Sequence, residues 1–206
     1  MDKAKILVLY YSMYGNVFQM AKEVASGINE VSEAEAIIKK VPELLPDSVI
    51  QKNKEIQHAI EKQKDIPVAT LDDLRHCDGL VLGTPTRFGN MCSQVRNFLD
   101  KTGPLWLEGA LKGKPAGIFT SSVSLHGGQE TTLISAMFTL LHHGMIIVGI
   151  PSSTPELMKT STGGTPYGAS HVVGLQSNYR ELSEEEKALC RFLGKRVAEI
   201  AVKLKK

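Results

Sequence analysis

An excess of charge is the first thing missing from this chain. The 24 Lys and Arg residues stand against 22 Asp and Glu, a net +2 at pH 7. A balance this even speaks against a nucleic-acid binder and against an acidic electron carrier. Cysteine is scarce too. Cys77, Cys92 and Cys190 lie far apart with no CxxC, so neither a zinc site nor a dithiol motif is suggested, and reduced thiols in a cytoplasmic protein are expected. No apolar run approaches the ~18 residues of a membrane span, and no cleavage signature follows the short apolar stretch near Met1, so no membrane contact is expected. Two phosphate-binding signatures, Gly-Lys-Ser/Thr and GxGxxG, are absent. So are internal repeats and low-complexity tracts. The basic cluster Lys203, Lys205 and Lys206 reads as a solvated helix end.

What is present is an alternation of two periodicities. Residues 5–11, 78–84, 115–121 and 144–150 are nearly continuous apolar runs, as strands covered on both faces require, and 34–41 is a weaker strand. Between them, Val17, Met20, Ala21, Val24, Ala25 and Ile28 recur at helical spacing, as do Met91, Val95, Phe98 and Leu99, then Leu133, Met137, Leu140 and Leu141. A final helix starts at a capping box, Ser183 and Glu186, and carries Leu189, Phe192, Leu193, Val197, Ile200 and Leu204 on one face. Strands alternating with helices predict an α/β protein with five mainly parallel strands in a single domain over 1–206. Residues 42–67, polar and bracketed by prolines, read as a surface insertion with a short helix, and 151–181 as a long loop. Ligands in such sheets bind outside the C-terminal ends of the strands. The loops there are 12–17, 85–90, 121–129 and 151 onward.

The first of these loops, SMYGN, joins a strand to a helix without any Lys or Arg. The free N–H groups of a helix start can bind a phosphate alone. Ser12 adds a hydroxyl, Gly15 allows close approach and Asn16 can cap or donate. A phosphate monoester held by neutral donors is one reading, and a plain N-cap with a turn glycine is the other. In PTRFGN, Pro85 stiffens the loop, Gly89 permits an unusual backbone, Phe88 offers an aromatic face and Arg87 a fixed cation. A flat heteroaromatic ring would suit that set, and an ordinary turn with a solvent-facing Arg would also explain it. The third loop, SSVSLHGGQE, supplies hydroxyls and backbone N–H groups for the polar edge of such a ring. Adjacent His142 and His143 point in different directions on a helix, so no metal is assigned.

YYSMYGN, GTPTRFGN, TGPLW, GGQE, HHGM and GGTPYGA occur in that order. Together they resemble the WrbA family of flavodoxin-like NAD(P)H:quinone oxidoreductases, over nearly the whole chain and most weakly at 42–67. The resemblance implies a flavodoxin-like three-layer sandwich with a five-stranded parallel sheet. It implies a non-covalent FMN whose phosphate is held by Ser12, Met13, Tyr14, Gly15, Asn16 and Val17. Pro85, Thr86, Arg87, Phe88, Gly89 and Asn90 would lie along the isoalloxazine, with Ser121, Ser122, Val123, Ser124, Leu125 and His126 at its pyrimidine side. Tyr14 would touch the nicotinamide nucleotide, Trp106 would line the quinone side and Tyr167 would form a wall. His142 would reach the flavin site and help protonate the quinone. A homotetramer is implied, with His142 and Trp106 acting across an interface.

The implied reaction is ping-pong: NADH or NADPH delivers a hydride and leaves, and a quinone takes the same place. A flavodoxin-type single-electron carrier shares the fold and is the alternative. Two departures from the family stand out. The third loop has fewer glycines than the family's Ser-Thr-Gly-Thr-Gly-Gly-Gly, one more residue and a titratable His126. Where the family often has a tyrosine, this chain has Pro151, Ser152 and Ser153, which removes a bulky wall and is expected to alter quinone preference.

Overall fold

The computed structural model of the chain describes residues 2–175 and 180–205. The apolar runs form strands β1 (Ala4–Tyr10), β2 (Ala34–Lys40), β3 (Gly79–Pro85) and β4 (Pro115–Ser122), and every residue of β3 and β4 is buried. They pair in parallel in the order β2-β1-β3-β4. Successive side chains of a strand point to opposite faces. Ile6, Val8 and Tyr10 therefore pack against helices α1 (Asn16–Asn29) and α9 (Glu184–Lys205). Leu7, Leu9 and Tyr11 pack the other way, into a core shared with α4 (Leu71–His76), α5 (Ser93–Asp100) and α7 (Gln129–His142). These are the three layers of the expected sandwich.

The fifth position in the sheet departs from expectation. The run 144–150 keeps only Ile146–Ile147 as strand β5, paired with Pro115 and Ala116. Val148 still donates to the Ala116 carbonyl, but Ile150 donates instead to Pro166 O, in a turn of the returning chain. The sequence 151–175 is accordingly not one continuous loop. It contains α8 (Pro155–Lys159) and strand β6 (Ala169–Val172), which pairs with Phe119 to Ser122 of β4. Because β3 occupies the other edge of those residues, β5 and β6 share one edge of β4 and divide the fifth position between them. Residues 176–179 of the expected loop, and Lys206 of the basic cluster, lie outside the described residues.

Two more elements refine the expected layout. The helix marked by Met91, Val95, Phe98 and Leu99 spans only Ser93–Asp100, and a separate short helix, α6 (Gly103–Leu107), begins with Pro104 in its first turn. Residues 42–67 fold into α2 (Asp47–Ile50) and α3 (Lys54–Lys62), the latter capped by the Asn53 side chain. The capping box at Ser183 and Glu186 forms in both directions. Leu204, expected on the apolar face of α9, is exposed.

Candidate functional site

The chain moves from β1 to β2 on one side and on to β3 on the other, so the crevice at the C-terminal ends of β1 and β3 is the switch point of the sheet. Residues 12–15 fill it. The Ser12 hydroxyl accepts from the Phe18 amide at 3.1 Å, which fixes the first turn of α1. Gly15 has φ 91°, a left-handed conformation that favours glycine. Among the described residues, the amides of Met13, Tyr14, Gly15 and Val17 have no acceptor. Tyr14 is half exposed.

The second loop turns back at once. Arg87 and Asn90 exchange backbone hydrogen bonds of 2.8 and 3.0 Å, with Phe88 (φ 52°) and Gly89 (φ 76°) at the corner. Two positive φ values define the primed hairpin turn that normally takes Asn, Asp or Gly first. Here the first residue is Phe88, the one non-glycine of positive φ among the described residues, and it is 101% exposed. An aromatic ring held in solvent by a strained backbone is a feature packing does not explain. Arg87 bends back, donating to Thr86 O at 2.9 Å and reaching Met13 Sδ at 3.8 Å, so the cation joins the first loop to the second. Pro85 ends β3, and Thr86 is tied to β4 through Ser121 O and the Thr120 hydroxyl and to α7 through the Thr132 hydroxyl.

Ser121 and Ser122 still belong to β4, whereas Val123, Ser124, Leu125 and His126 are exposed. The third loop is braced internally by Ser122 to Ser124 O and Gln129 to Leu125 O. From outside, Val173 and Gly174, just past β6, donate to the carbonyls of Ser122 and Val123. None of the three loops 12–17, 85–90 and 121–128 contains Asp or Glu.

Trp106, His142 and Tyr167 are elsewhere. His142 ends α7, whose 14 residues span about 20 Å from the third loop. With Trp106, His143, Arg96 and Thr139 it lines a groove of about 270 Å³ at the opposite end of the sheet. Tyr167 precedes β6, which begins level with Phe119, so it stands roughly 15 Å from Ser122 along the strand direction. Trp106 and His142 are therefore brought to one end of the fold and the three loops to the other, with Tyr167 at the edge of β4 between them. In the groove, Thr102 donates to Leu99 O at 2.6 Å and so accepts from His143 Nε2 at 2.8 Å. His143 Nδ1 is then a buried lone pair without a partner among the described residues. Burial, and the neighbouring His142, hold the His143 pKa below the usual histidine value.

Several residues near the loops carry no signal in the sequence pattern. Gln63, 4% exposed, donates to Ser12 O at 3.1 Å. The Tyr11 hydroxyl donates to Glu43 and accepts from Gln94. Burial and the Glu43 carboxylate push the Tyr11 pKa far up, so it remains a phenol. Below the third loop, Glu186 and His171 are each 1% exposed and 2.8 Å apart. The Glu186 carboxylate also accepts from the amides of Gly163, Val172 and Ser183. A Cβ on Gly163 would lie 2.1 Å from Ser170 O and 2.7 Å from Glu186 Oε1, so this position of GGTPYGA needs glycine to close the network. Burial opposes ionisation of Glu186, but the His171 and backbone donors outweigh it and lower its pKa. The capping-box spacing found Glu186, but not its role as a hub.

The cysteines offer no chemistry. Burial pushes Cys77 up to about 11 and raises Cys92 and Cys190 as well, so all three stay thiols. Among the described residues no group of three His, Cys, Asp or Glu is placed to hold a metal ion, and no helix is long and apolar enough to cross a membrane.

A 2-1-3-4-5 sheet with its loops gathered at the switch point defines a flavodoxin-like protein. Solved structures agree: a WrbA-like flavodoxin from Agrobacterium tumefaciens has TM-score 0.61 at 22% identity over 98% of this chain and 99% of that one. An archaeal flavodoxin has TM-score 0.60 at 18% identity, covering 96% and 99%. The family model for NADPH-dependent FMN reductase matches residues 4–154, and the chain belongs to that family. Among curated relatives, a protein of Geobacter metallireducens named NAD(P)H dehydrogenase (quinone) is 51% identical over 98% of this chain and 99% of its own length. A Geobacter sulfurreducens protein of the same name is 50% identical over 97% and 98%. The WrbA resemblance read from the motifs is thereby borne out.

Proposed function

We propose that this protein is an FMN-dependent NAD(P)H:quinone oxidoreductase whose working site combines the three loops of one chain with the groove of a neighbouring copy. One observation carries the reading: at the switch point, backbone donors without acceptors among the described residues and the Arg87 guanidinium meet, with no carboxylate in the three loops. That donor set fits a phosphate monoester attached to an electron-rich ring. The Ser12 hydroxyl and the amides of Met13, Tyr14, Gly15 and Val17 would hold the phosphate, with Asn16 beside them. Phe88 and the backbone of Pro85 to Asn90 would face the ring, and the groups of Ser121 to His126 its polar edge. When bound, FMN supplies two-electron acceptance from NADH or NADPH and two-electron delivery to a quinone, the donor leaving before the acceptor enters.

The remaining roles fall to this chain's side chains. Arg87, half-buried and bonded to no carboxylate among the described residues, offsets negative charge where the two loops meet. Half-exposed Tyr14 contacts the nicotinamide nucleotide. Trp106 and Tyr167 wall the quinone pocket, and His142 hands a proton to the quinone oxygen. Because ~20 Å separates His142 from the loops of its own chain, it serves the loops of a neighbour, which suits the proposed homotetramer. The buried reduced thiols suit a cytoplasmic location.

The test is an absorbance spectrum of the purified protein with added FMN, then with NADH in the absence of air, then with benzoquinone. Uptake of FMN, bleaching by NADH and catalytic return of colour with benzoquinone are expected. A protein that takes up no FMN overturns the proposal. One that takes it up but is not bleached by NADH or NADPH is a carrier instead.

A further inference from the structure

Resting on the flavin reading above, we infer that Gln63, from the segment between β2 and β3, is a positioning residue for the phosphate, because its side-chain amide fixes the direction of the Met13 N–H. Gln63 sits at the C-terminal end of α3 and is 4% exposed. Its Nε2 donates to Ala59 O at 2.8 Å and to Ser12 O at 3.1 Å, so both amide protons are committed. The backbone there is pinned in turn: Gln63 N–H donates to Ile60 O, and Lys40 Nζ donates to Gln63 O at 2.6 Å. The donor is rigid before any ligand arrives.

The consequence follows from peptide geometry. Ser12 C=O and Met13 N–H belong to one planar trans unit, so they point in opposite directions. Gln63 holds the carbonyl toward α3, which turns the Met13 amide away from α3. That amide is one of those without an acceptor among the described residues. Were the peptide to flip, a carbonyl dipole would replace an N–H where a dianion is to bind, exchanging attraction for repulsion. Ala59, one turn earlier, lies 4.0 Å from where a Gly15 Cβ would be, so the same helix also backs the left-handed turn. The segment 42–67 thus shapes the loop without needing to touch the ligand.

The experiment compares FMN with riboflavin, which lacks the phosphate. Dissociation constants are measured by flavin fluorescence for the full chain and for Gln63→Met, which keeps the volume and removes the donor. The preference for FMN over riboflavin should fall about tenfold, the scale of one hydrogen bond to a charged group, while riboflavin affinity stays within about twofold. An unchanged preference, or equal loss for both ligands, overturns the inference and leaves the flavin reading standing. A wild type with no preference for FMN overturns both. Should Gln63→Met not fold, selectively methionine-labelled wild type decides: the Met13 amide resonance should shift with FMN and not with riboflavin, and equal response to both overturns the inference.

Discussion

At the C-terminal ends of β1, β3 and β4 the chain presents backbone amides, hydroxyls and one guanidinium, whereas at the opposite end it presents an indole and two imidazoles. The first set is suited to anchoring a charged cofactor and the second to lining a pocket for a flat, weakly polar substrate. Neither is a complete oxidoreductase site. About 20 Å of α7 lies between them, so a chain acting alone keeps the halves apart. The split makes assembly part of the proposed chemistry.

Mixing the two ends tests that split most severely. Arg87→Ala and His142→Ala should each lose about 100-fold or more in NADH:benzoquinone turnover. After co-dissociation and reassembly, an equal mixture should regain roughly a quarter of wild-type activity, the fraction of sites with an intact Arg87 beside a neighbour's intact His142. No recovery would mean that the ends do not cooperate between copies.

Next in size is Glu186, which ties the returning strand β6 to α9 beneath the third loop. Glu186→Gln leaves a buried imidazole and several amides poorly matched, at a cost of about 3 kcal/mol, so thermal denaturation should shift down by about 6–12 °C. The folded pKa of Glu186 lies below its ordinary 4.5. Its ionised form therefore contributes stability that is complete above about 4.5 and is lost as pH falls through the folded value. The variant's acid-unfolding curve should lack that component.

A smaller effect sharpens the anchoring end. Phe88 pays for its left-handed backbone with no burial in return. Phe88→Asn should stabilise the apoprotein by about 1 kcal/mol in urea unfolding while weakening FMN uptake. Equal FMN affinity would remove Phe88 from the ring-facing set. The smallest effect belongs to the groove. His143 is favoured neutral, so stability should be complete above about 6.5, the ordinary value, and decline as pH falls from there toward the lower folded pKa. His143→Asn should flatten that slope.

The pattern made some of this legible and hid the rest for physical reasons. Continuous apolar runs announced β1, β3 and β4 because those strands are covered on both faces. The loops of the anchoring end followed from topology once the strands were known. Strand β6 was not legible: four residues set in a Gly-, Ser- and Thr-rich stretch have no periodicity of their own, and only the open edge at Phe119 to Ser122 recruits them. GGTPYGA fell within what read as one long loop, yet Gly163 is buried at the Glu186 hub. The distance of Trp106, His142 and Tyr167 from the loops was equally hidden, because sequence motifs give order along the chain and not position along a helix axis. Gln63 and Glu43 act through hydrogen bonds to residues far along the chain, which no local spacing reveals.

The divided fifth position has a consequence for biosynthesis. Until Ala169–Val172 and the start of α9 leave the ribosome, the upper half of β4 is a nascent edge with unpaired peptide groups and apolar flanks. Translation pausing in that interval would expose a template for strand capture by another nascent chain, so the segment from Ala169 into α9 doubles as a guard against aggregation.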